Sequence, residues 1–95
     1  MSAFKLLDPL LHSQLRLAIM SLLIGLEAAE FTFLKEKTES TAGNLSVQLD
    51  KLEKAGYIKI EKSFRDKRPL TTCRITSNGV KAFEDYVENL KNYIS

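Results

Sequence analysis

The sequence has few of the side chains from which metal centres and catalytic sites are usually built. Its 95 residues include one cysteine, Cys73, and one histidine, His12. A lone cysteine cannot close an internal disulfide, and these two residues cannot supply the four ligands of a structural zinc site. The chain also offers no nucleophile–base pair and no glycine-rich phosphate loop. We therefore expect no enzyme activity, no metal and no cofactor.

Long apolar runs are missing as well. The most hydrophobic stretch, LRLAIMSLLIGL, is interrupted by Arg16 and is shorter than the roughly 20 residues that a helix needs to cross a bilayer. The segment from Leu6 lacks the charged start, apolar middle and small-residue cleavage site of a secretory signal. Low-complexity tracts, repeats and long linkers are absent. These absences predict a single cytoplasmic domain over residues 1–95, without a membrane partner.

Positive charge is concentrated in the middle of the chain. Residues 51–74 contain eight lysines and arginines against three acids, whereas residues 1–50 contain four against six and residues 75–95 two against three. A mixed, solvated surface is the ordinary interpretation of a charge run. The asymmetry nevertheless favours an anionic partner, and nucleic acid is one such partner.

Apolar residues at helical spacing predict three helices in the first half of the chain. The first is expected to begin at Asp8 and Pro9 and to stop near Gly25. A short extended piece should precede a second helix, which is expected to be capped by Thr32 and to cover residues 33–38. Ser40 or Thr41 can cap a third helix over about residues 41–55. Two short helices with a tight polar connection are typical of a helix-turn-helix.

After Gly56 the apolar period changes from helical to alternating. The alternation predicts a two-stranded hairpin over about residues 58–75, with its turn at RDKRP and with Cys73 as a small buried residue. Lys62 interrupts the apolar side of the first strand, so the far end of the hairpin should leave the core. Ser77 is then expected to cap a last helix over about residues 77–94. His12 is expected to cap a helix or to lie at an interface.

The third helix carries a small, polar face opposite its leucines. Asn44 and Gln48 could form paired hydrogen bonds to adenine, and Val47 could contact a thymine methyl group. Gly43 destabilises a helix by roughly 1 kcal/mol relative to alanine, which indicates close approach to DNA phosphate or, with equal weight, packing on a neighbouring element. The DNA-binding residues predicted on and beside this helix are Ser40, Thr41, Gly43, Asn44, Val47, Gln48 and Lys51.

The hairpin tip is rich in long cations. Such side chains can reach phosphates or enter a narrow minor groove, although a solubilising hairpin is the ordinary interpretation. The DNA-binding residues predicted here are Lys62, Arg65, Lys67 and Arg68.

The last helix carries a narrow apolar seam of the coiled-coil kind, and the amino-terminal segment adds apolar residues that a small monomer would struggle to cover. Together they predict a homodimer. The predicted interface residues are Phe4, Leu7, Leu11, Val80, Phe83, Val87, Leu90 and Ile94.

The order helix, helix-turn-helix, hairpin and helix resembles that of winged-helix transcriptional regulators of the MarR and ArsR type. The resemblance covers roughly residues 7–90, and its most specific stretches are GNLSVQLDKLEKAGYI and RITSNGVKAF. It implies an α+β, mostly helical fold with a three-helix core, a recognition helix at 41–55, a two-stranded β-wing at 63–72 and a dimer made by the terminal helices. It also implies sequence-specific binding to double-stranded DNA. The arsenic-sensing branch has paired cysteines, which this chain lacks, so metal sensing is not implied.

The predicted function is therefore a homodimeric transcriptional regulator that recognises an inverted repeat. The alternative is a winged-helix protein-interaction module within a larger assembly, in which the basic hairpin meets an acidic partner. A protein-binding face would more often present an aromatic anchor. The operator, the direction of regulation and any small effector stay open at this point.

Overall fold

The protein folds into four helices and a three-stranded sheet, as seen in a computed structural model that describes residues 6–94. The elements are α1 (Gln14–Leu26), β1 (Ala28–Glu30), α2 (Phe31–Thr38), α3 (Ala42–Lys54), β2 (Ile58–Arg65), β3 (Arg68–Ile75) and α4 (Ser77–Ile94). This is the mostly helical α+β winged helix that the sequence predicts. Of the helices in the described part of the chain, none is long and apolar enough to span a membrane.

The core lies where α1 packs against α2, α3, α4 and the sheet. Each large apolar side chain that becomes fully buried stabilises the fold by roughly 1.5–3 kcal/mol. The three leucines of α3 therefore fix which side of that helix faces inward. The buried residues are Leu11, Ile19, Met20, Leu23, Leu34, Leu45, Leu49, Leu52, Ile58, Cys73 and Tyr86.

The sheet is antiparallel, with the strand order β1-β3-β2. The short extended piece predicted before α2 is β1, which pairs with β3 from Ala28 opposite Arg74 to Glu30 opposite Thr72. The wing is the β2–β3 hairpin, and its turn consists of two residues, Asp66 and Lys67, with φ angles of 50° and 66°. Two successive left-handed residues match the right-handed twist of the strands they join.

The first helix begins later than the sequence suggests. The Asp8 carboxylate accepts a hydrogen bond from the Leu10 backbone N–H at 2.9 Å, and its carbonyl oxygen accepts from the N–H groups of Leu11 and His12. Asp8 and Pro9 thus form a capped turn that precedes α1 rather than its first turn. Asp-Pro suits either structure, because Asp caps turns and helices by the same hydrogen bond.

Two other helix starts also differ from the prediction. Glu30, not Thr32, precedes the first helical residue of α2, because β1 runs directly into the helix. Thr76, not Ser77, caps α4: its hydroxyl accepts from the Gly79 backbone N–H at 3.0 Å and donates to the carbonyl of Gly56 at 2.6 Å. Thr76 therefore ties the start of α4 to the end of α3.

Two tyrosines hold the amino-terminal turn against the rest of the protein. Tyr57 donates its hydroxyl proton to the Asp8 carboxylate at 2.5 Å, and this bond, together with burial, raises the pKa of Tyr57 to about 12. His12 Nδ1 and the Tyr86 hydroxyl share a hydrogen bond of 3.0 Å. His12 thus binds α4 instead of capping a helix. Cys73 is buried as predicted, and burial, with a smaller effect of the Glu53 carboxylate, raises the pKa of its thiol to about 11.

Candidate nucleic-acid interface

Helix α3 has a capping residue at its start, a glycine beyond its end and one side buried in the core. The Thr41 hydroxyl accepts a hydrogen bond from the Asn44 backbone N–H at 3.1 Å, which confirms the predicted cap. Beyond the other end, Gly56 adopts a φ of 81°, a conformation that favours glycine. With its leucines buried in the core, the helix can present only its opposite face to solvent.

That opposite face is open. Gly43 and Lys51 are exposed, and Val47 retains 51% of its accessible surface. A Cβ atom added to Gly43 would meet no atom within 4 Å in the described part of the chain. Within residues 6–94, packing on a neighbouring element therefore does not explain Gly43. Close approach of DNA to Gly43 stays a prediction.

The two amides beside this face are linked to each other and to α1. Gln48 is half-buried, and its Nε2 donates to Asn44 Oδ1 at 3.0 Å. Its Oε1 accepts from Arg16, a residue of α1 that the sequence analysis treated only as an interruption of an apolar run. Arg16 thus belongs to the same site. A cation inside an otherwise apolar helical pattern was the only sequence signal that could have pointed to it.

The hydroxyls at the start of α3 have internal partners. Ser40 is half-buried, and its hydroxyl lies 2.8 Å from that of Thr38, which donates to the Leu34 carbonyl. The Thr41 oxygen is occupied as an acceptor by the cap, but its O–H remains able to donate. Both residues stay predictions as phosphate contacts, and Thr41 is the more exposed of the two.

The wing carries cations that the rest of the described chain does not neutralise. Lys62, Lys67 and Arg68 are exposed and form no ion pair within residues 6–94. Arg65 pairs with the Glu30 carboxylate at 3.3 Å, but its side chain remains 64% exposed. Exposed pairs contribute at most about 1 kcal/mol, so a phosphate could replace Glu30. The tip leaves the core as predicted, since Phe64 is 76% exposed.

The predicted dimer residues divide between the protomer's own core and its surface. Leu11 is wholly buried inside the protomer, so its prediction as an interface residue is wrong: the Asp8 turn directs its side chain into the core. Phe4 lies outside the described residues. Leu7, Phe83 and Leu90 are half-buried against the core and Val80 is half-buried, whereas Val87 and Ile94 are exposed. Tyr86, which is absent from the predicted seam, is the side chain of α4 that packs deepest.

An apolar groove of about 390 Å³ runs between α1 and α4. It is lined by Leu17 and Ala18 from α1 and by Phe83, Val87 and Leu90 from α4. The apolar seam of α4 is therefore only partly covered by the rest of the same protomer. No three His, Cys, Asp or Glu side chains in residues 6–94 lie together in a way that could hold a metal ion.

A helix-turn-helix with an exposed third helix, followed by a cationic hairpin, defines the winged-helix class. The sequence matches the family of winged helix DNA-binding domains over residues 15–94, and the chain belongs to this family. The resemblance to winged-helix regulators is thereby confirmed.

Individual relatives agree with this assignment. The chain is 43% identical over 76 residues to the uncharacterized protein MJ0432 of Methanocaldococcus jannaschii, covering 80% of this chain and 83% of the relative. A transcriptional regulator homologue from Pyrococcus horikoshii superposes with a TM-score of 0.84 at 32% identity, covering 90% of this chain and 84% of the other. The transcriptional regulator BldR from Sulfolobus solfataricus shares the fold, with a TM-score of 0.73 at 23% identity, covering 86% and 58%.

Proposed function

We propose that this protein is a homodimeric transcriptional regulator that binds an inverted repeat in double-stranded DNA. One observation supports this most strongly: the solvent face of α3 is slim and uncharged at Gly43 and Val47, and the wing that follows carries cations without an ion pair in residues 6–94. A slim helix can enter the major groove, which is about 12 Å wide, while cations beside it contact the phosphates. A regulator of transcription acts where the DNA is, and we place the protein in the cytoplasm.

The charge of the site predicts how binding depends on salt. Four of the proposed cations, Lys51, Lys62, Lys67 and Arg68, form no ion pair within residues 6–94. If each neutralises one phosphate, the logarithm of the binding constant falls with the logarithm of salt concentration with a slope of roughly −3.6 per protomer. Phosphate contacts position the protein, whereas the α3 face specifies the sequence.

Two copies are needed to read an inverted repeat. The exposed Val87 and Ile94 and the groove between α1 and α4 leave apolar surface that a second copy can cover. Recognition helices in successive major grooves lie roughly 34 Å apart, so the half-sites should be one helical turn apart. Sedimentation at micromolar concentration tests this step, and a monomer that persists in the presence of DNA would contradict it.

A gel-shift titration against genomic fragments tests the function. We expect one fragment to be preferred over random duplex at moderate salt. Val47→Asp should abolish that preference, because it places a carboxylate at the groove. Ser77→Asp is the matched control: it adds the same charge at an exposed position in the first turn of α4 and should leave binding unchanged. If no fragment is preferred and a stoichiometric protein partner is recovered instead, the interaction-module alternative holds.

A further inference from the structure

A chain of hydrogen bonds runs from α1 to the exposed end of α3. Arg16 Nε donates to the Leu10 carbonyl at 2.5 Å, and its Nη1 donates to Gln48 Oε1. Gln48 Nε2 donates in turn to Asn44 Oδ1 at 3.0 Å. Arg16 and Gln48 are half-buried and Asn44 is exposed, so the chain links the interior to the surface proposed to face DNA.

The chemistry of arginine fixes the direction of this chain. A guanidinium donates hydrogen bonds and accepts none. Gln48 must therefore turn its amide oxygen toward Arg16, which leaves its NH2 group to donate to Asn44. Asn44 must then accept with its oxygen, so its own NH2 group is directed away from Gln48. Reversing either amide would set two donors against each other and leave them unpaired, which is unfavourable in a half-buried site.

This direction decides what Asn44 can recognise. An amide that pairs with adenine needs both its donor and its acceptor, whereas the major-groove edge of guanine offers two acceptors, N7 and O6. With its oxygen turned toward Gln48, Asn44 directs its NH2 group outward as a donor, and only the second lone pair of that oxygen is left to accept. Gln48 has its oxygen turned toward Arg16 and one of its two N–H groups turned toward Asn44. A paired contact with adenine would require either amide to turn away from these partners.

The geometry points to Arg16 as a positioning residue that, through Gln48, sets Asn44 to read guanine rather than adenine. This inference rests on the proposed function, because it names the base edge that the same α3 surface selects. Arg16 itself need not touch DNA. We expect roughly a tenfold preference for guanine at the position opposite Asn44, which corresponds to about 1.4 kcal/mol.

Two variants separate this role from a general effect on folding. Arg16→Met removes the donor, so both amides are free to turn and the guanine preference should fall to less than about threefold. Gln48→Glu keeps a partner for Arg16 but supplies no N–H, so Asn44 must donate inward and present its oxygen outward. The preference should then move to bases with an exposed donor, adenine or cytosine. Arg74→Met is the control, since it removes an equal charge that pairs with Glu61 on the wing at 3.2 Å.

The experiment has one arm without DNA and one with it. In the free protein, NMR of the side-chain amides should show that Arg16→Met shifts the NH2 signals of both Gln48 and Asn44, although the hydrogen bonds link Asn44 to Arg16 only through Gln48. Arg74→Met should shift neither. With DNA, competition among duplexes that differ at one base pair of a bound site should give the preferences above.

The outcomes are distinguishable. Unshifted Asn44 signals in Arg16→Met, or equal base preferences in the wild type and both variants, would overturn the role of Arg16 while leaving DNA binding intact. If the amide signals shift as expected but the wild type prefers no duplex, the proposed function fails, and the guanine assignment fails with it.

Discussion

Substitution of Gly43 by alanine should raise stability and lower DNA affinity at the same time. Gly43 is the second residue of α3, and a Cβ atom there would meet nothing within 4 Å among the described residues. Alanine is preferred to glycine in a helix by up to about 1 kcal/mol, and we expect a gain of about 0.5–1 kcal/mol close to the helix start. For a domain of this size the melting temperature should rise by roughly 2–8 °C.

The same methyl group should weaken DNA binding. If the backbone at Gly43 lies against the duplex, the added carbon occupies space that the complex needs. Overpacking of a close contact is unfavourable by about 1–3 kcal/mol, which corresponds to a loss of affinity of roughly 5- to 150-fold. The loss of affinity should be similar for every duplex to which α3 binds in this way. The methyl group would contact the DNA surface rather than the edge of one particular base.

Gly25→Ala is the matched control. Gly25 also lies within a helix, α1, and a Cβ atom there also meets nothing within 4 Å among the described residues. It should raise the melting temperature by a similar amount and leave DNA affinity unchanged. Thermal denaturation and fluorescence anisotropy with a labelled duplex measure the two effects. A Gly43→Ala protein that binds as tightly as the wild type would refute close approach, and one that is destabilised would refute the stability argument.

Three further substitutions test other parts of the account. Gly79→Ala should destabilise the fold by about 3 kcal/mol or more in urea denaturation, because its Cβ atom would lie 2.1 Å from the Tyr57 carbonyl oxygen; an unchanged midpoint would contradict that close packing. Arg68→Ala should weaken binding to all duplexes alike and reduce the salt slope by roughly 0.9, whereas a loss confined to one sequence would make Arg68 a base contact. Because the pKa of Tyr57 is about 12 in the folded state and about 10 when unfolded, its contribution to stability is complete below pH 10 and is lost between pH 10 and 12. Asp8→Asn should bring that pKa back toward 10 in an NMR titration, and an unchanged pKa would show that Asp8 is not its cause.

The parts of the fold that the sequence predicts well are those set by local periodicity. Leu45, Leu49 and Leu52 recur at helical spacing, and this alone orients α3 and identifies its outer face. The alternation after Gly56 likewise indicates the wing, because side chains of a strand alternate between two faces. Lys62 lies on the apolar side of this alternation, and a charged side chain there indicates that the tip of the hairpin leaves the core.

The parts that the sequence does not predict depend on contacts between distant segments. The sequence predicts the short extended piece before α2, but it does not predict the pairing of these three residues with the edge of β3, because no local pattern indicates that pairing. Leu11 has the spacing of an interface residue, but the turn at Asp8 places it in the core. The pair of Arg16 and Gln48 spans 32 positions of the chain, so the direction of the Asn44 amide could not be read from α3 alone.

The most direct test of the central claim is selection of bound duplexes from a random pool by the wild-type protein. The account predicts an enriched inverted repeat whose half-sites lie one helical turn apart, with a guanine at the same position in each half-site. A pool that remains random after several rounds at moderate salt would contradict the claim that the exposed face of α3 reads DNA.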